Sequence, residues 1–303
     1  MIMTDTIVNY RRFLKRRNVS PHTVKNYLNT LKHFVLWLNV PLEEAGRRQV
    51  LAYIDLLLDR RRTPKTINCH LNSIRRFYDY LYHEEEIKIP NPVREGDSLR
   101  LPKPLPCFLK EEEIRRLFAV IKGRRDHAIF LLMLRCGLRV EEAVHLTVDA
   151  VDLVRQRIHV HLGKGGKGRM VYISKDACEA LKSYLEIRPP GACKRLFLVE
   201  KGAYKNKPIS VRGVQKRMEY YSRATGVRVS CHQLRHTMAT QLLNADADLA
   251  TIQDLLGHSW ITTTQRYCKV SDLKVQRDYF NAMDRVQAKY ANNMEINTVH
   301  PAG

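Results

Sequence analysis

The chain has 303 residues, 52 of them lysine or arginine and 31 aspartate or glutamate, for a formal net charge of +21. With 44% hydrophobic and 27% charged residues it has ordinary globular composition and the length for two cored domains, which excludes wholesale disorder and collagen-like or mucin-like repeats. Such an excess of cations repels itself in a folded body, so it points to a polyanionic partner, either nucleic acid or an acidic membrane surface.

The longest apolar run of the central region, Ala128 to Leu134, stops at Arg135, far short of the roughly 20 residues of a membrane span. The N-terminus lacks the basic-then-apolar pattern of a secretory signal. Seven cysteines are scattered with no Cys-x-x-Cys spacing, which argues against a disulfide framework or a zinc ribbon and for a reducing cytoplasm.

In chain order, Ser20-Pro21 reads as an N-cap followed by proline in the first turn, after which Val24, Tyr27, Leu28, Leu31, Phe34, Val35 and Leu38 recur at helical spacing. Val50 to Leu58 reads as helix. Thr63-Pro64 repeats the capping device ahead of Ile67, Leu71, Ile74, Phe77, Tyr78 and Leu81. Residues 1–88 thus form an expected all-helical module with 16 basic and 9 acidic side chains. Residues 89–106 carry Pro90, Pro92, Pro102, Pro104 and Pro106 without periodicity and read as a semi-rigid, coreless strap. Residues 107–291 form the second, mostly helical domain, and 292–303 a polar tail. Within the second domain, Ile158 to Leu162 and Met170 to Ile173 flank Gly163-Lys164-Gly165-Gly166-Lys167-Gly168, a predicted hairpin with a glycine-rich basic tip. Helices resume near Lys175 and after Ser210. Ser271 to Tyr290 has the spacing of a final amphipathic helix.

Three motifs bear on chemistry. The glycine-rich tip fails as a phosphate loop, because Arg169-Met170 stands where Lys-Ser/Thr is required and a strand follows; a solvated hairpin turn and the delivery of Lys164 into a cleft both remain open. His232-Gln233-Leu234-Arg235-His236 lacks the glutamate of a zinc protease helix, but helical spacing brings His232 and Arg235 to nearly one face, where they can address one phosphate. Ala250 to Tyr267, broken at Gly257-His258, has a helix-turn-helix pattern that also fits a non-catalytic DNA-binding regulator. No metal cluster or nucleotide loop is expected.

Taken together, Cys136-Gly137-Leu138-Arg139-Val140-Glu141-Glu142, Gly163-Lys164-Gly165, His232 to His236, Leu255-Leu256-Gly257-His258 and Tyr267 resemble, in order and spacing, the tyrosine recombinases, the family of phage integrases and Xer-type recombinases. The resemblance spans the chain and is nearest to the compact Xer-like layout. It implies a mainly α fold: an N-terminal helical bundle (a SAM-like core-binding domain) and a mostly α catalytic domain with a small antiparallel sheet. It implies that Arg139 and Arg235 bind the phosphate, Lys164 is the hairpin lysine, His232 and His258 complete the catalytic set, Tyr267 is the nucleophile and Glu142 supports the site. Cys136 and Glu141 replace a commoner Thr and Ser, removing no catalytic atom.

The chemistry suits these residue types. In-line attack on a phosphodiester builds charge on nonbridging oxygens, which two always-charged, bidentate guanidiniums neutralise. A phenol of pKa about 10 needs neighbouring cations or a base before it attacks; His232 leads as base and His258 as phosphate donor, and Lys164 is assigned to protonating the departing 5′ hydroxyl. The expected product is a 3′-phosphotyrosyl ester, with no ATP, metal or other cofactor. The expected partners are double-stranded DNA, clamped between the two basic domains, and further protomers in a homo-tetramer, or a hetero-tetramer with a related recombinase, linked by the final helix; no membrane is involved.

Overall fold

The computed structural model describes residues 3–102, 107–161, 168–191, 193–257, 279–280 and 283. Helices dominate, with one small antiparallel sheet, as expected. The chain divides into two compact units, Met1–Lys103 and Pro104–Gly303.

The first unit holds α1 (Met3–Arg16), α2 (Pro21–Trp37), α3 (Arg47–Asp59) and α4 (Pro64–His83). The Ser20 and Thr63 hydroxyls accept the backbone N–H of Thr23 and Thr66, so both expected caps form, each with proline in the first turn. Leu31, Phe34, Ile67, Leu71, Ile74 and Phe77 face inward from α2 and α4 and are essentially inaccessible. α1 adds Tyr10 and Leu14, with the Tyr10 ring meeting Phe77 edge-on at 5.2 Å between centroids.

The first part of the proline-rich segment departs from expectation. Ile89 and Val93 are buried in the core of the first unit. Asn91 Nδ2 donates to Asp79 Oδ1 at 2.7 Å and to the Arg75 carbonyl at 2.9 Å, Asn68 exchanges two 2.8 Å bonds with the Leu99 backbone, and buried Asp97 pairs with Arg47 at 2.8 Å. Proline denies this stretch a helix, but its two aliphatic side chains lie within reach of α4, and the asparagines satisfy backbone groups that a free strap would leave to water.

In the second unit α5 (Glu111–Ala119), α6 (Arg124–Arg135) and α7 (Val140–His145) lead into β1 (Val151–Asp152), β2 (Arg157–Val160) and β3 (Arg169–Tyr172), followed by α8 (Lys175–Ile187), α9 (Val211–Thr225), α10 (Cys231–Asn244) and α11 (Leu249–Leu256). The apolar run Ala128 to Leu134 is a central helix buried on every side. The three strands pair antiparallel in the order β1-β2-β3, with Ile158 opposite Val171 and His159 opposite Met170. A charged knot ties α6 to α9: buried Asp126 accepts from Arg125 and from Arg217 (2.6 Å), and the Tyr221 hydroxyl donates to it at 3.0 Å. No helix among the described residues is long and apolar enough to cross a membrane. The hairpin tip, the second half of the helix-turn-helix pattern and, apart from Tyr279, Phe280 and Met283, the expected final helix lie outside the described residues.

Candidate active site

The site is built where the start of α7, the start of α10 and the end of α11 meet. Arg139 is the N-cap residue of α7, and Glu142 stands at its third position. The carboxylate of Glu142 reaches back to accept the Arg139 backbone N–H at 2.8 Å, satisfying a helix-start donor, and accepts Arg139 Nη1 at 2.8 Å. That capping fixes the guanidinium of Arg139, whose Nη2 lies 3.4 Å from the Gly257 carbonyl.

The opposite side of Glu142 is held by Arg169, the first residue of β3. Its Nη1 and Nη2 bind the two carboxylate oxygens at 2.7 and 2.8 Å, and its Nε donates to the Leu255 carbonyl at 2.8 Å. Glu142 is 4% exposed at its side chain. Burial works against its charged form, but hydrogen bonds from Arg169 and the Arg139 backbone, with the charge of Arg169, prevail and hold the carboxyl down at about 2.

Arg235, in the first turn and a half of α10, is 1% exposed. Its Nη1 donates to the Gly137 carbonyl and its Nη2 to the Leu256 carbonyl, so it ties the turn before α7 to the end of α11. Gly137 and Gly257 both adopt left-handed backbone, at φ +64° and +60°. A Cβ on Gly257 would stand 3.0 Å from Arg169 Cδ, and one on Gly137 3.0 Å from Met238 Sδ; both turns favour glycine by conformation, and a side chain at either would press on its neighbour.

Arg139, His232 and Arg235 line one open cavity of about 200 Å³, together with Leu138, Val140, Glu141 and Cys231. His232 is lowered by partial desolvation first, then by the charges of Arg235 and Arg139, so its imidazole is neutral at physiological pH and free to accept a proton. Burial pushes the adjacent thiol of Cys231 up to about 11, which keeps it from acting as a thiolate. The arrangement offers an anion two guanidiniums and a neutral imidazole in one recess.

The matches to known proteins fit this geometry. The model of the Phage integrase family matches residues 107–274, and that of the Phage integrase N-terminal SAM-like domain matches 7–87. The chain belongs to the phage integrase family of tyrosine recombinases. The tyrosine recombinase XerC of Thermodesulfovibrio yellowstonii is 36% identical over 291 residues, 90% of this chain and 94% of that one. The tyrosine recombinase XerA of Thermococcus kodakarensis is 32% identical over 269 residues, 88% of this chain and 91% of that one. Among solved structures, a lambda integrase tetramer bound to a Holliday junction shares the fold, with a TM-score of 0.72 at 18% identity over 88% of this chain and 76% of that one.

In this tyrosine recombinase the structure brings together four of the residues singled out in the sequence: Arg139, Glu142, His232 and Arg235. Lys164, His258 and Tyr267 lie outside the described residues. Sequence reasoning passed over Arg169, noting it only as the residue that spoils a phosphate loop. A basic residue on the return strand of a hairpin, five positions after the candidate lysine, was the available signal; its partner Glu142 lies 27 positions upstream.

Proposed function

We propose that the chain is a site-specific recombinase that cleaves and rejoins double-stranded DNA through a 3′-phosphotyrosyl intermediate. The Tyr267 phenol oxygen attacks the scissile phosphorus, the P–O bond to the 5′ oxygen breaks, and Lys164 gives that leaving oxygen a proton. His232 takes the phenolic proton, and His258 donates a hydrogen bond to a nonbridging oxygen. Arg139 and Arg235 neutralise the charge that develops there, the part that metal ions play in other phosphoryl-transfer enzymes. The ester conserves the energy of the cleaved bond, and a 5′ hydroxyl from a partner strand reverses the step without ATP.

The observation that carries this reading is the meeting of Arg139, Arg235 and a neutral His232 at one recess. The net charge of +21 supports a DNA partner, and binding should track phosphate number. Assembly as a tetramer on two DNA sites, of identical or related subunits, follows the lambda integrase assembly of the same fold. The free thiols of the six described cysteines agree with action in the cytoplasm.

The test is a library of nicked duplexes with a randomised centre. The protein is expected to yield a covalent protein–DNA adduct that survives denaturant and EDTA and whose DNA can be sequenced. Tyr267→Phe should abolish the adduct and leave the gel shift intact. An adduct that persists in Tyr267→Phe refutes the nucleophile assignment.

A further inference from the structure

The segment leading to the hairpin tip reads Ile158-His159-Val160-His161. Strand alternation buries Ile158 and Val160 and leaves both histidines exposed on the other face. Their rings meet edge to face, 4.2 Å between centroids, with His159 Nδ1 3.2 Å from His161 Nε2. Two imidazole nitrogens bound to one ion at about 2.0–2.1 Å, with an angle between square and tetrahedral, stand roughly 2.9–3.4 Å apart. The observed spacing falls inside that window.

The backbone beneath His159 is fixed. His159 lies opposite Met170 in the sheet, and its N–H donates to the Ala150 carbonyl at 2.9 Å; His161 follows two residues on, just past the end of β2, so one ligand is held and the ordering entropy that opposes binding is reduced. The Asp149 carboxylate, lowered first by a hydrogen bond from Thr147, also interacts with the charges of Lys194 and His161. Among the described residues no third histidine, cysteine or carboxylate joins the pair.

We propose that His159 and His161 form a surface clamp for one first-row transition-metal ion of the nickel, copper or zinc class, with solvent in the remaining positions. Imidazole selects these ions over magnesium and calcium, and binding displaces the proton shared between the two nitrogens. With only two protein ligands the ion exchanges with its surroundings, which suits a regulatory site. Lys164 follows His161 by three residues, so an ion on the clamp restrains the point from which that lysine departs and depresses strand cleavage. This last consequence rests on the function proposed above; the binding itself does not.

The experiment titrates the full chain with nickel chloride alone, in calorimetry without DNA. One site is expected, with magnesium chloride giving none. The His159→Gln/His161→Gln double variant, with an unchanged circular dichroism spectrum, should bind roughly tenfold more weakly or worse. The His232 and His236 rings, 4.3 Å apart, are the rival site, so His236→Gln should bind as the wild type does. Unchanged binding by the double variant, or loss of binding in His236→Gln, overturns the clamp. In the adduct assay nickel should slow the wild type and spare the double variant. Equal slowing of both overturns the regulatory consequence, whereas a protein that binds nickel but forms no adduct under any condition overturns the proposed function and leaves the clamp standing.

Discussion

Arg169 grips both carboxylate oxygens of Glu142, at 2.7 and 2.8 Å, while that same carboxylate caps the helix that begins at Arg139. A residue of the hairpin thereby shares a carboxylate oxygen with the Arg139 guanidinium and helps to set its position, and through Leu255 it also holds the end of α11. Arg169 is a positioning residue.

Arg169→Ala leaves a buried carboxylate with one guanidinium partner and should cost about 1.5–3 kcal/mol of stability. Arg169→Lys should recover only part of it, because an ammonium cannot bind two oxygens in the plane of the carboxylate. Urea unfolding of the full chain measures both. A stability loss below 1 kcal/mol in Arg169→Ala would show that the pair is dispensable.

Arg139→Ala is expected to reduce adduct formation by roughly a hundredfold or more, as removal of a transition-state donor does, with duplex binding retained. Arg139 is 31% exposed at its side chain, so its loss spares the fold better than that of Arg235, which braces two carbonyls from inside. Single-turnover cleavage at saturating DNA separates the effects, and a near-normal rate in Arg139→Ala would exclude a role in phosphate stabilisation.

Gly257→Ala should destabilise more than Gly226→Ala. Both positions have left-handed backbone, at φ +60° and +69°, but a Cβ on Gly226 meets open space whereas one on Gly257 meets Arg169. The conformational cost alone is about 1 kcal/mol. Equal losses in thermal unfolding would mean that Arg169 moves aside freely.

Two groups give the stability a defined pH dependence. Glu142 falls from 4.5 to about 2 on folding, so the unfolded chain binds the proton more tightly; its contribution is complete above 4.5 and is lost as pH drops toward 2, by about 3 kcal/mol at most. His70 is lowered from 6.5 to about 4, chiefly by burial and then by His33 and Arg62, and its Nδ1 lies 2.9 Å from the Tyr53 hydroxyl. The first unit should therefore lose stability as pH falls from 6.5 to 4. His70→Gln should flatten that window; an unchanged slope would place the titration elsewhere.

Capping chemistry and apolar period made much of the fold legible. Ser20 and Thr63 each accept the backbone bond that their position foretold, and the two hairpin strands lie within one residue of their expected start. α1 escaped notice because Arg11, Arg12, Lys15 and Arg16 crowd its sequence and no cap announces it. The anchoring of residues 89–99 was also hidden, since it depends on asparagines whose partners lie 12 to 31 positions away. In the site, Arg139, Glu142, His232 and Arg235 were found by residue type and spacing within a family pattern. Arg169 and the Asp126 knot were not, because a guanidinium looks the same in sequence whether it is solvated or buried against a carboxylate 27 or 91 positions distant.

The capping of α7 by Glu142 makes structure and activity share one carboxylate. Protonate or delete it and α7 loses its N-terminal cap while Arg139 and Arg169 lose a common partner. Genetic damage at Glu142 should therefore show instability and inactivity together, and a suppressor that restores the cap should relieve both.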